Sequence, residues 1–223
     1  MAETRSIVSK ALYEEVAERL RQSIFAGELA PGDWIDELRW TQTYGISRTP
    51  LREAIKVLAG EGLVTMKLRR GAYVTEVSPR DLREVYHLLG LLESDAAADV
   101  AQFASATEVA DLQVLHTKLK VIANRERPSR DEFFACNQSF HQRLLEIANN
   151  RWRHSLVTDL RKVMRLSRQQ SLLRAGRIGE ALQEHEDLMQ ALLSRDPELA
   201  RQRMLLHFSN GLAAASGEKA QTA

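Results

Sequence analysis

Cysteine is almost absent from this 223-residue chain, which carries one, Cys136. No disulfide can close within it, as expected of a protein kept in a reducing cytoplasm. Aromatic residues are scarce too, at 6%. Leu and Ala dominate the second half, so the composition leans helical. Residues 1–10 are polar and lack the apolar region of a signal peptide, and no apolar run approaches the length of a membrane span. These absences predict a soluble, cytoplasmic protein with no membrane partner. Net charge is missing as well: 31 basic and 30 acidic residues leave +1. Global charge is therefore silent about nucleic acid. No internal repeat of fixed period and no low-complexity segment stands out. What remains is 44% hydrophobic and 27% charged residues, enough apolar material for real cores and too balanced for disorder.

Local patterns say more. Leu12, Val16, Leu20 and Ile24 recur on one face of a helix that Gly27 would stop. Pro31-Gly32-Asp33 predicts a turn, and a short helix over about 36–44 breaks at Gly45. Ser47 or Thr49 can cap the next helix, and Pro50 suits its first turn. Leu51, Ile55 and Leu58 form its buried stripe, and Gly60 and Gly62 end it. Two short extended runs, 63–66 and 72–77, flank basic residues and Gly71 and read as a β-hairpin. Helix, short helix, turn, helix and hairpin spell a winged helix-turn-helix.

Ser78-Pro79 marks a boundary. Beyond it the pattern holds no convincing strand. Helical stripes run over about 80–103, 107–124, 129–148, 152–174, 178–194 and 197–214. The predicted fold is mainly α: a winged helix-turn-helix with a small β-hairpin wing over residues 1–78, then an all-α helical bundle over 79–216. A polar tail covers 217–223 and is expected to fray.

Residues 39–80 hold eight bases (Arg39, Arg48, Arg52, Lys56, Lys67, Arg69, Arg70, Arg80) against three acids (Glu53, Glu61, Glu76). On charge alone a solvated face is the preferred reading. Placement sharpens it. Arg48, Thr49 and Arg52 share the exposed side of a helix start, where an arginine fork can reach guanine O6 and N7. Backbone N–H groups at the same turn, beside Ser47, can hold a phosphate. The basic hairpin follows at short range, and Gly71 beside Arg70 would let backbone approach DNA closely.

These residues carry a resemblance. Gly27-Glu28-Leu29-Ala30-Pro31-Gly32, the block Ser47-Arg48-Thr49-Pro50-Leu51-Arg52-Glu53-Ala54, Glu61-Gly62-Leu63-Val64 and Arg70-Gly71-Ala72-Tyr73-Val74 resemble the DNA-binding domain of the GntR superfamily. The resemblance implies double-stranded operator DNA as partner, with Arg48, Thr49, Arg52 and Gly71 as its contacts. The second helix departs from the family pattern: Trp40-Thr41 stands where Leu-Ala is usual, and Leu38 where an Arg often falls. Arg39 is the nearby substitute.

In the second half, three different helical stripes each place a histidine among apolar residues. His141 lies with Asn137, Phe133, Phe140 and Leu144; His185 with Ala181, Leu188 and Leu192; His207 with Ala200, Met204 and Gly211. One buried imidazole is ordinarily a structural hydrogen-bonding group. Three with an asparagine one turn away make a shared divalent metal the more economical account, as an N₃O shell. Zn²⁺ is the first choice and Ni²⁺ or Mn²⁺ the alternatives. Spacing does not show that the three helices converge.

The segments Leu82-Arg83-Glu84-Val85-Tyr86 with Leu92-Glu93, Asn137-x-x-Phe140-His141, Glu184-His185-x-x-Leu188-Met189 and Ala200-x-x-x-Met204-x-x-His207 resemble the FCD effector domain of the FadR subfamily. That resemblance implies a metal held by Asn137, His141, His185 and His207, with Asn where Asp is commoner. It also implies a homodimer, and repression relieved by a small organic acid bound at or beside the ion. Leu89 stands where the family often has an Arg, so the effector would be held differently. Arg161, Arg165 and Arg168 lie along one helix; Arg165 is taken as the candidate for an effector carboxylate, against a solvated face as the simpler reading. His87, His116 and His154 are read as surface or structural, and Cys136 as a buried inert thiol. Other readings are a pure metal sensor, a structural metal, and a metal-dependent hydrolase. The hydrolase would need a base, and helical phase turns Glu184 and Glu146 away from the ligand face.

Overall fold

The structure is a computed structural model that describes residues 12–166 and 176–216. It divides into two compact units, Met1–Val77 and Ser78–Ala223. The first holds α1 (Leu12–Ala26), α2 (Glu37–Tyr44), α3 (Arg48–Gly60), β1 (Val64–Lys67) and β2 (Gly71–Val74). The strands pair antiparallel, from Val64 opposite Val74 to Lys67 opposite Gly71. The mainly helical fold with a two-stranded wing is as the sequence predicts.

Each helix of this unit contributes the stripe its spacing dictates. Val16, Leu20 and Ile24 of α1 and Leu51, Ile55 and Leu58 of α3 are buried together with Leu63, Val64, Ala72 and Val74. The Asp36 carboxylate caps α2, accepting from the Leu38 and Arg39 N–H groups at 2.9 and 3.2 Å. Gly45 ends α2 at φ +63°, in the left-handed region. Ser47 takes the extended N-cap position of α3, but its hydroxyl accepts no capping bond. Trp40 is buried against Tyr44, with ring centroids 5.1 Å apart. The departure from Leu-Ala in α2 is thus a larger core residue.

The second unit is built from α4 (Pro79–Phe103), α5 (Ala106–Ala123), α6 (Arg130–Ile147), α7 (Arg151–Leu166), α8 (Arg177–Leu193) and α9 (Pro197–Ser216). Ser78 with Asp81, and Ser105 with Glu108, form reciprocal capping boxes that fix where α4 and α5 begin. Ala96, Ala97 and Ala101 of α4 are fully buried, so neighbouring helices approach closely along its length. At Gly211 of α9 a Cβ would lie 3.0 Å from the Tyr86 ring of α4, so glycine lets these two helices meet there without shifting that ring. Leu112, Leu119, Phe140, Leu144, Leu188 and Met204 complete one core. The last part of the helix expected to reach 174, Arg168 with it, and the tail 217–223 lie outside the described residues. No described helix is long and apolar enough to cross a membrane.

Candidate functional site

In the first unit, four of the residues singled out in the sequence line one concavity. Arg48 and Arg52 reach it from the first turn of α3, Arg70 and Gly71 from the wing, and Trp34 and Glu37 complete its wall. Ser47 and Thr49 are exposed beside it. Arg39 is exposed but lies apart from this lining, with its guanidinium 5.6 Å from the Trp40 ring centre. Gly71 has φ +94°, and a Cβ there would meet Trp34 Nε1 at 3.0 Å. Glycine is therefore required at the wing for two reasons, a backbone angle and a close indole. The sequence reading missed Trp34 and Glu37. Glu37 accepts from Arg52 Nε at 2.9 Å. Both side chains are substantially exposed, so this pair contributes at most about 1 kcal/mol and yields readily to a phosphate or a base.

The second unit brings the three histidines together. The ring centroids of His141, His185 and His207 lie 5.0 to 5.2 Å apart. One nitrogen of each lies within 4.8 Å of the others. His141 and His185 are fully buried, and His207 nearly so. Burial therefore disfavours the imidazolium form of His141, and Arg161 and His207 add repulsion; its pKa falls well below the ordinary value. His185 is depressed in the same way, first by burial and then by His207 and His141.

Two of these rings are oriented by carboxylates. His141 Nδ1 lies 2.7 Å from Glu93 Oε2, and His207 Nδ1 lies 2.8 Å from Glu184 Oε2. Each carboxylate is in turn gripped by an arginine. Arg161 donates from Nε and Nη2 to Glu93 at 2.6 and 2.7 Å, and Arg177 donates from Nη1 and Nη2 to Glu184 at 2.7 and 2.8 Å. Burial pushes the Glu93 carboxyl up and Arg161 pulls it part of the way back. Burial also opposes the Glu184 charge, but hydrogen bonds from His207 and Arg177 outweigh it and lower its pKa to about 2.

The atoms left over tell what the cluster lacks. Among the described residues, His141 Nε2, both ring nitrogens of His185 and Asn137 Oδ1 are buried with no hydrogen-bond partner. An unmade buried hydrogen bond costs about 1–3 kcal/mol, so these atoms are expensive to bury unless something binds them, and one nitrogen each of His141, His185 and His207 can face a common point. With Nδ1 of His141 committed to a carboxylate, its Nε2 is the electron pair turned inward. Three imidazole nitrogens and an amide oxygen are donors of the kind a divalent ion takes. The residues present therefore fit such an ion. A cavity of about 90 Å³ opens beside them, lined among others by Tyr86, Asn137, Arg161, Arg177 and Phe208.

Several expectations change here. Glu184 does not point away from the ligand face: its side chain spans to α9, where it meets His207 and also Asn210 at 3.0 Å. A residue 100° off a stripe still reaches a neighbouring helix when its stem is long. Glu146 stays exposed, beside Gln142 and Arg143. Arg161, read first as part of a solvated face, is buried and lines the cavity. Arg165 is exposed and is not part of that lining. Leu89 is fully buried in the core. His116 is buried 3.5 Å from Glu186, while His87 is exposed. Cys136 is only half-buried, its Sγ 3.5 Å from the Leu115 carbonyl, and burial raises its pKa.

Both parts of the chain match known families. Residues 12–74 match the model of the bacterial regulatory proteins of the gntR family, and residues 84–210 match the FCD domain. The HTH-type transcriptional regulator YdhC of Bacillus subtilis is 28% identical over 199 residues, covering 89% of this chain and 88% of YdhC. The HTH-type transcriptional repressor RspR of Escherichia coli is 27% identical over 207 residues, covering 92% and 90%. The solved structure of E. coli McbR/YncC superposes with a TM-score of 0.77 at 22% identity, covering 95% of this chain and 99% of that one.

Proposed function

The chain belongs to the GntR family of bacterial regulatory proteins and carries an FCD domain, as a DNA-binding transcriptional regulator and not an enzyme, and on that premise we propose a metal-dependent, acid-responsive repressor. RspR is a repressor by name, and the same sign is proposed here. The domains would run as 1–78 for DNA binding, 79–216 for effector, metal and dimerisation, and 217–223 as tail. A cytoplasmic homodimer would present two α3 starts and two wings to the halves of a palindromic operator. Arg48, Thr49 and Arg52 would read base edges, while Ser47, Arg70, Gly71 and Arg39 would position the backbone.

The observation that carries the regulatory half is the set of partnerless inward atoms on Asn137, His141 and His185, with His207 completing the ring. These four residues would hold the ion, Zn²⁺ first. When bound, the ion supplies a Lewis-acid anchor for a carboxylate. Glu93 and Glu184 fix the tautomers of His141 and His207, and Arg161 and Arg177 hold those carboxylates in place. The cavity beside the histidines favours an organic ligand over a sensor for the ion alone. Arg161 and Arg177, not Arg165, are then the arginines in the wall of the effector cavity. Effector binding would shift one conformational equilibrium that also sets operator affinity.

The test is a thermal-shift screen of small organic acids with and without divalent ions. Stabilisation by an acid only in the presence of metal is expected; equal shifts without metal would remove the metal from the reading. Separately, Arg48→Ala with Arg52→Ala should lose tight binding to the promoter DNA of the chain's own gene in an anisotropy titration. Unchanged affinity would move the DNA-binding surface elsewhere.

A further inference from the structure

We infer that the cavity beside the three histidines takes a small dianionic acid, because the inward donors are all neutral and the cavity's arginines are already balanced by Glu93 and Glu184. The inference rests on the metal reading above and adds the charge and class of the ligand.

The count is short. Among the described residues, the charged groups lining the cavity are Arg161 and Arg177. Each is paired with one buried carboxylate, Glu93 or Glu184, through two hydrogen bonds; Glu180, 3.6 Å from Arg177 Nη1, is half exposed, and solvent screens its charge. Two positive and two negative groups sum to zero. The donors facing the histidine cluster are three imidazoles and the Asn137 carboxamide, none of which brings a negative charge. A divalent ion in this setting keeps its full +2.

Unbalanced charge is expensive in a buried site. A monocarboxylate would leave +1 there, whereas a second acid group on the same molecule neutralises it. The guanidinium forks of Arg161 and Arg177 lie in the cavity wall but are taken up by Glu93 and Glu184, so the charge balance applies to a carboxylate and a phosphate alike. Dianionic acids of either kind share this chemistry. Asn137 is the residue that sets the count, since an aspartate in its place would cancel one of the two charges.

The experiment is a calorimetric titration of the full chain loaded with zinc, its metal content verified by elemental analysis. Malate is compared with lactate, and methyl phosphate with dimethyl phosphate, so that each pair sets a dianion against a monoanion. At least tenfold tighter binding of the dianion is expected in at least one pair, and the pair that shows it tells which kind of acid is recognised. In Asn137→Asp, with zinc still bound, that preference should fall at least fivefold. A ratio below tenfold in both pairs, or a ratio unchanged in Asn137→Asp, overturns the inference. If the wild-type chain takes up no zinc while His185→Ala behaves identically, the metal reading itself fails.

Discussion

Glu93 shows how much one side chain can control here. It is fully buried between Arg161 and His141. Glu93→Gln removes the charge that compensates Arg161, and breaking a buried pair in this way costs about 3–5 kcal/mol. It also loosens the hold on the His141 tautomer, and loss of such an outer partner typically weakens metal binding about 10–100-fold. The two effects separate in the double variant Glu93→Gln with Arg161→Met. Stability in urea should largely return, because no unpaired cation is left, while zinc affinity in chelator competition should stay low. Recovery of both would reduce Glu93 to a structural role. Glu184 supplies a pH signature. Its folded pKa of about 2 lies below the ordinary value of 4.5. The carboxylate therefore stabilises the folded state above pH 4.5, and that stability is lost as pH falls towards 2. The gap amounts to on the order of 3 kcal/mol at neutral pH. Glu184→Gln in the metal-free protein should be destabilised by about that amount at pH 7 and by about half as much at pH 3, read by urea unfolding. An equal deficit at both pH values would show that Glu184 acts through packing alone.

At the scale of elements, the wing is the most demanding piece. Gly71→Ala would force a side chain into a left-handed backbone and against the Trp34 indole. Strain of this kind costs on the order of 1–3 kcal/mol. Thermal unfolding should move down, and DNA affinity should fall further than stability does, because Arg70 is displaced with the turn. If affinity were spared, the wing would not touch DNA. The helices and wing were legible in the sequence because they follow from local periodicity and turn chemistry, whereas the hydroxyl cap expected of Ser47 is not made. So was the set His141, His185 and His207, since each falls on an apolar stripe. What lies between elements was not legible. The Glu93 contact to Arg161 spans 68 positions, and the Glu184 contact to His207 crosses from α8 to α9. Long polar side chains reach off their own helical face, so phase alone misplaces them. Arg161 and Arg177 were lost for the same reason. The one usable signal was a Glu immediately before a core-facing His, at 184–185.

At the scale of the whole molecule, the two units have separate cores: Leu20, Leu51 and Leu58 sit in one, and Phe140, Leu144 and Leu188 in the other. All residues proposed to hold the ion belong to the second. A ligand that binds only a folded state stabilises it by RT ln(1 + [L]/Kd), about 2.7 kcal/mol at a hundredfold excess over Kd. That free energy reaches only the cooperative unit that contains the site. Calorimetry of the full chain should therefore resolve two transitions in low salt, one of which rises when zinc is added and falls with His185→Ala. The other should rise with added duplex DNA and fail to do so in Arg48→Ala with Arg52→Ala. A single transition that both ligands shift together would mean that the units unfold as one. Coupling between effector and operator would then be carried by that shared cooperativity and would not need two conformations of a folded dimer.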